Sequence, residues 1–338
     1  MLLTHTNSVY SEAITLLDQI PYPQYAHQVA KGGGMVVKQG IRTMPGELIN
    51  YVLKGNHGAA RGTYQFIQSL TRSEHCRIGV ILAAGGNLWT GYGSIVPLTN
   101  QYPLYQVTPM AVTSVYAGYI ANQIGSFDYI ATDSTSCISG HSAWYTARNM
   151  LSLDILDAVV VISSDNGLSE EYLSVFGEHG LSKLVNEENN PAIIKFRLGH
   201  GCNISVFETE DSATKHGHTA LAKITDMHIA AEYHASPMGI SESGDGYNKV
   251  INKVNTDQIN FVKTHGTFSS DNRIEEQLIK NKFGDIKIIN YKLRIGHTLG
   301  ASTAIETALA VQEETGTFLS LGAGMGNVFS SAVVEIIK

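Results

Sequence analysis

The chain has 338 residues, 43% hydrophobic and 16% charged, with 23 Lys plus Arg, 30 Asp plus Glu and a net charge of −7. So much apolar material with so little charge excludes a disordered chain. The mild acidity argues against a general nucleic-acid binder, which needs a basic face to neutralise phosphates. The opening MLLTHTNSVYSEAITLLDQI lacks the basic head and long apolar run of a signal peptide. No apolar stretch reaches the ~18 residues of a bilayer span. The expectation is a soluble protein of the reducing cytoplasm, with neither membrane nor nucleic acid as partner. Cys76, Cys137 and Cys202 lie far apart with no CxxC pair, so neither a zinc site nor a disulfide framework is expected.

Along the chain, the first forty residues show no clear period, and KGGGMVV (31–37) predicts a loop running into a strand. A helix is predicted from about Pro45 to Leu70, interrupted at Gly55 and Gly58. RIGVILAAGG (77–86) reads as a buried strand ended by glycines. Residues 109–125 open with Pro109 and close on Gly125, as a helix does. FDYIAT (127–132) predicts a strand, residues 136–151 a helix and DAVVVIS (157–163) another strand. Residues 192–198 and 203–210 read as strands around GHGC. Then come a strand at 259–265, a helix at 272–284, a strand at 285–290, a helix at 298–316 and closing strands at 318–324 and 328–337. Strands alternating with helices of this length predict parallel βαβ units. With no low-complexity segment or Pro-rich linker, the pattern reads as two similar α/β halves fused without a flexible joint.

Cys137 follows a strand and the polar turn DSTS, and it opens a helix. The positive end of a helix favours a thiolate, and a strand-to-helix turn presents its side chain at the end of a sheet. The plain alternative is a buried, inert cysteine. His265 in KTHGT and His297 in RIGHTLG each sit just after a strand, so one sheet end could bring both to one site. His216 and His218 read as surface residues. His228 and His234, six apart, share no helical face and predict no metal pair.

TDSTSCISG around Cys137, THGT around His265 and KLRIGHTLGAS (292–302) resemble the three signature segments of the β-ketoacyl synthases of the thiolase fold. PMAVTSVYAGYIANQIG, THGTFSSDNRIEEQ, RLGHGCNISVFE and LGAGMGN (321–327) resemble the family's supporting segments in the right order. The resemblance runs from about residue 42 to the end. It implies a five-layer α/β/α/β/α sandwich of two related halves, divided at 1–165 and 166–338. It implies decarboxylative Claisen condensation. Cys137 would hold an acyl group covalently, and neutral His265 and His297 would bind a malonyl thioester and stabilise its enolate. Lys292 would orient the His297 region with Glu306 as partner. The backbone N–H groups of Cys137 and Ala323 would form an oxyanion hole flanked by Gly322, Gly324 and Gly326. Val112, Thr267 and Met325 would line the substrate pocket. No metal or organic cofactor is implied, because the phosphopantetheine arm belongs to an acyl carrier protein. The other expected partner is a second copy or a homologous subunit.

Several positions depart from the family pattern. Ala323 stands where a phenylalanine gate is usual, and Arg273 where an acidic residue is common. His200 and Cys202 read as structural. The opening forty residues do not resemble the usual first strand. Arg42, Arg61, Arg72 and Lys263 are candidates for a basic patch facing an acidic carrier. The rival functions are an acyltransferase that does not decarboxylate and a non-elongating partner subunit of the chain-length-factor kind. A cysteine hydrolase fits less well, since it needs only one histidine.

Overall fold

Apolar runs bounded by glycine and polar turns become the strands of a layered α/β molecule. A computed structural model describes residues 1–10, 30–31, 34–36, 58–85, 113–166, 198–237, 239–255, 258–267 and 272–337. The first half contains β1 (Leu2–Tyr10), the short β2 (Ala30–Lys31) and β3 (Gly34–Val36), α1 (Gly58–Thr71), β4 (Ile78–Ala83), α2 (Thr113–Ile124), β5 (Tyr129–Asp133), α3 (Ser139–Ser152), β6 (Ala158–Asn166) and β7 (His200–Glu208). The second contains α4 (Glu210–His216), β8 (Ala222–Ala231), α5 (Asp245–Ile251), β9 (Phe261–Lys263), α6 (Asn272–Phe283), β10 (Lys287–Ile289), α7 (Lys292–Ile295), α8 (Ser302–Glu313), β11 (Thr317–Gly324) and β12 (Val328–Ile336).

The strands lie in the order β10-β9-β11-β12-β8-β1-β7-β6-β4-β5. With the five main strands of each half counted in chain order, both halves read 3-2-4-5-1 in space. Both also repeat the same directions. The second strand is parallel to the third and fourth, and the fifth is antiparallel to its neighbours. The halves meet where β1 pairs with β8 at Leu2↔Lys223 and Leu3↔Ala222.

Side-chain alternation sorts the core into three layers. Ile81 and Ala83 of β4 and Val159 and Val161 of β6 face inward, onto Ala143, Trp144 and Ala147 of α3 and Ala304, Ile305 and Leu309 of α8. Phe318 of β11 and Val334 of β12 close this layer from the other sheet. The intervening Val80, Leu82, Val160 and Ile162 face outward, onto Ile67 and Leu70 of α1 and Ile120 and Ile124 of α2. Leu319, Leu321 and Val262 face outward onto Tyr247 and Val250 of α5 and Ile279 of α6. The result is α/β/α/β/α, with α3 and α8 sandwiched between the sheets. Each fully buried aliphatic side chain contributes about 1.5–3 kcal/mol. Small residues let the two central helices approach closely: a Cβ on Gly140 would stand 2.9 Å from the Ala304 Cβ. No helix among the described residues is long and apolar enough to cross a membrane.

The structure differs from the sequence reading in four places. The division falls after β7, between Glu208 and Ala222, not at 165/166, because β7 pairs with β6 and β1 of the first sheet. β1 escapes a hydrophobic reading because its buried Thr4, Thr6, Asn7 and Ser8 are polar. Asn203 satisfies part of that strand, donating to Thr6 Oγ1 and Ser8 Oγ at 2.9 Å each. GHGC is no hairpin turn, since β7 already begins at His200 and Leu198 bridges to His297. β8, α4 and α5 were not anticipated.

Candidate active site

Cys137 lies in a 3-10 turn, Ser136–Ile138, between β5 and α3. Ser136 has φ 52°. A side chain in the left-handed region costs about 1–3 kcal/mol and persists only where its surroundings hold it. Here Ser139 Oγ donates to the Ser136 carbonyl at 2.6 Å and accepts the Thr135 amide at 2.9 Å. The Asp133 carboxylate accepts from the hydroxyls of Thr135 and Ser142 at 2.6 and 2.7 Å. This turn aims Cys137 into the protein interior, where it is 6% exposed.

Burial pushes the Cys137 thiol above its ordinary pKa. The Ser136 hydroxyl, the Lys292 charge and the Met325 N–H on Sγ act the other way without prevailing. The favoured thiolate expected from the helix end is therefore overridden by desolvation. The resting group is a thiol that needs a base.

Two histidines are at hand. The rings of His265 and His297 stand edge to face with centroids 5.2 Å apart. His265 follows β9, and its amide donates to Glu275 Oε1 at 2.6 Å while the Gly266 amide donates to Oε2 at 2.8 Å. Gly266 has φ 47° and packs on Asn290, whose Nδ2 donates to its carbonyl at 2.8 Å. The Nδ1 of His265 is buried without a hydrogen-bond partner among the described residues. His297 is held from both sides. Its carbonyl accepts the Gly199 amide at 2.8 Å, and its Nδ1 pairs with Ser302 Oγ at 2.7 Å. Burial, then the Lys292 charge, hold both imidazoles well below their ordinary pKa. Both rings are therefore neutral near pH 7, able to donate one hydrogen bond and accept one proton.

Lys292 donates to Glu306 Oε1 at 2.5 Å, with both groups buried. The sequence paired these two residues but missed that Glu306 has a second cation. Lys263 Nζ donates to Oε2 at 3.1 Å and to the Leu321 carbonyl at 2.7 Å. Lys263 is fully buried and so cannot join a surface basic patch. Of the other proposed members, Arg72 is exposed, while Arg42 and the Arg61 side chain lie outside the described residues.

The wall behind Cys137 is the end of β11. Gly322 and Gly324 face the nucleophile turn: a Cβ on Gly324 would stand 3.2 Å from the Cys137 nitrogen, and one on Gly322 would meet Ile138 Cγ2 at 3.1 Å. Ala323, between them, points the opposite way into the outer core with Leu321 and Phe329. Its side chain therefore takes no part in a gate. The Met325 side chain is 39% exposed at this turn. Thr267 is half-buried directly after Gly266, and Val112 lies outside the described residues. His200 and Cys202 are buried in β7, with Cys202 in the outer apolar layer.

Asp165, at the end of β6, was also missed. Its Oδ2 accepts the amides of Gly85 at 2.9 Å and Gly300 at 3.1 Å, fastening the loop after β4 to the turn after His297. Gly85 is wedged so tightly that a Cβ there would stand 2.8 Å from the Gly300 nitrogen and 2.9 Å from the Ser136 oxygen. The turns that follow His297 and carry Cys137 are thereby packed on one another. Among the described residues no group of three or more His, Cys, Asp or Glu is placed to hold a metal ion.

No family model matches the chain. It is 24% identical over 268 residues to nodulation protein E of Rhizobium leguminosarum bv. trifolii, a match covering 70% of this chain and 63% of that protein. It is 23% identical over 259 residues to the chloroplastic 3-oxoacyl-[acyl-carrier-protein] synthase II of Arabidopsis thaliana, covering 70% and 47%. The chain thus spans less than two thirds of the length of these relatives. Among solved structures it superimposes, with a TM-score of 0.71 and 18% identity, on a ketosynthase in complex with its type II PKS acyl-carrier protein and bound to the hexaketide. That match covers 86% of this chain and 85% of the other.

Proposed function

We propose that the chain, similar in sequence to nodulation protein E and a 3-oxoacyl-[acyl-carrier-protein] synthase and in fold to a ketosynthase, catalyses decarboxylative Claisen condensation between an acyl group on Cys137 and a malonyl thioester on an acyl carrier protein. The observation that carries this reading is the pair of buried imidazoles, His265 and His297, set edge to face 5.2 Å apart, with the Lys292 charge acting both on them and on the buried Cys137 thiol. A hydrolase needs one imidazole; a condensing enzyme needs a second partner for an enolate.

In the first half-reaction Cys137 Sγ attacks the acyl thioester. Its proton passes to a neutral imidazole and then to the departing carrier thiol. The oxyanion is assigned to the backbone amides of Cys137 and Ala323, and Gly324, packed against the Cys137 nitrogen, leaves that space open. In the second half-reaction the bond from the malonyl methylene to the carboxylate breaks and CO₂ leaves. The electron pair moves onto the thioester as an enolate, and imidazole N–H groups of His265 and His297 stabilise its oxygen. The enolate carbon then attacks the Cys137 thioester, a carbon–carbon bond forms, and the Cys137 thiolate is expelled and regains a proton. The product is a 3-oxoacyl thioester on the carrier, in fatty-acid or polyketide-type synthesis.

The carrier's phosphopantetheine brings both acyl groups, and no resident cofactor enters this scheme. A second copy or a homologous subunit is the proposed structural partner. Its proposed seat is β5, which ends the sheet with its outer edge unpaired among the described residues and with Ile130 46% exposed. A reducing compartment such as the cytoplasm would keep Cys76, Cys137 and Cys202 as the free thiols seen here.

CO₂ release from a malonyl carrier labelled at the free carboxyl tests the proposal. The protein pre-loaded with an acyl group should release CO₂ in step with 3-oxoacyl product, and the Cys137→Ala variant should make no product. Loading without CO₂ release would identify an acyltransferase instead.

A further inference from the structure

Lys263 plays no part in either half-reaction, yet it is a cation sealed inside the site at 0% exposure. Lys292 holds one oxygen of Glu306 and Lys263 the other. Lys263 ends β9, two residues before His265, and also binds the Leu321 carbonyl, at the root of the Gly322–Gly324 wall. One ammonium thus ties together the strand that delivers a histidine, the helix that carries Glu306 and the strand that backs Cys137. We propose that Lys263 is a positioning residue of the condensing site, fixing Glu306 so that Lys292 and the His265 strand end hold the geometry of the decarboxylation half-reaction. This rests on the condensing function proposed above.

The electrostatics support a role beyond packing. Lys263 and Lys292 share the Glu306 carboxylate, and burial, then the Lys292 charge, press the Lys263 pKa down while Glu306 and Glu275 hold it up. The other titratable groups facing this centre are His141 on α3, Glu275 on α6, His265, His297, Cys137 and Asp165. The two oxygens of Glu275 are already bound to backbone amides. Positive charge on Lys263 opposes a further proton on either imidazole, which keeps both rings able to donate to the enolate oxygen. Burying a second lysine against one carboxylate is costly, which a merely structural strand end does not require.

The test uses Lys263→Met, which leaves the Lys292–Glu306 pair intact. Lys263→Gln, which keeps a donor without the charge, serves if the first variant does not fold. Acyl loading of Cys137 should stay within about 3-fold of wild type. Decarboxylation kcat should fall about 30-fold with little change in KM, and the acid limb of the kcat profile should move to higher pH. Imidazole NMR of His265 and His297 from about pH 8 down to about pH 3.5 gives a readout that needs no substrate. Their titration midpoints should rise in the variant. Full activity with unmoved midpoints would overturn the proposal, as would equal loss in both half-reactions. If the wild type releases no CO₂ at all, the condensing reading fails. The ring titration then decides on Lys263 alone: raised midpoints support the proposal and unmoved midpoints overturn it.

Discussion

The two halves share a strand order, and they also share the turn that leads into each central helix. Thr135–Ser139 and Thr298–Ser302 are superposable in their chemistry. Each has a threonine amide donating to the Oγ of a serine four residues on, at 2.9 and 3.0 Å. Each has a non-glycine residue at positive φ in second place, Ser136 at 52° and Leu299 at 49°. Each runs through a 3-10 turn into its helix. At the third place the halves part: one has Cys137, the other Gly300. The space explains the difference. A Cβ on Gly300 would stand 1.9 Å from the Gly85 nitrogen, so this copy of the turn cannot carry any side chain. The residue before the turn diverges in the complementary way, with Ser134 in the first half and His297 in the second. A repeated elbow thus supplies a buried cysteine from one copy and an imidazole from the other.

The largest effect should come from abolishing the asymmetry at Cys137. Cys137→Ala should take up no acyl mass, read by intact mass spectrometry, while its melting temperature stays close to wild type. Next are the imidazoles. His265→Ala and His297→Ala should each slow CO₂ release about 10²–10³-fold, and only the variant lacking the loading base should also lose acyl uptake by Cys137, which single-turnover assay of each half-reaction separates. Placing a side chain on the other elbow, as Gly300→Ala, should cost about 3 kcal/mol or more in denaturant unfolding.

Acid should then reveal the histidines kept neutral by the fold. The imidazoles of His141, His265 and His297 lie well below their ordinary pKa, and burial takes His5 and His200 down to about 4. The unfolded chain therefore binds more protons than the folded one once the pH drops below about 6.5. Stability is full above that pH and is lost as it falls toward 4, by up to about 1.4 kcal/mol per pH unit for each histidine. Melting temperatures across that window check it, and a flat profile would contradict it. The smallest effect sharpens the comparison most finely. Ser139→Ala and Ser302→Ala should each cost about 1 kcal/mol. Only Ser302→Ala should also disturb CO₂ release, because Ser302 Oγ, unlike Ser139 Oγ, bonds an active-site imidazole, that of His297.

The approach of His265 to His297 was legible because each histidine follows a strand, and the Lys292–Glu306 pairing was legible only through the resemblance. The layered fold was legible because its strands are apolar and its helices end on glycine. What escaped depends on partners distant along the chain. Lys263 meets Glu306 43 residues away, and Asp165 meets Gly300 135 residues away. Glu275 is one of two adjacent glutamates, and only the helix phase buries it while Glu276 stays exposed. Ala323 took the gate position by sequence register, but strand alternation turns its methyl away into the outer core. β1 was hidden by its polar buried residues, whose satisfaction comes from Thr63 and Asn203 on other elements.

The central claim is that Cys137 carries the acyl group and a decarboxylated malonyl unit removes it. Intact mass of the protein, followed in time after an acyl carrier thioester and then a malonyl carrier are added, tests this most directly. The account predicts that the acyl mass appears on Cys137, persists alone, and disappears on addition of the malonyl carrier with one CO₂ released per acyl group lost. Acyl mass that never appears, or that leaves as free acid without CO₂, would contradict it.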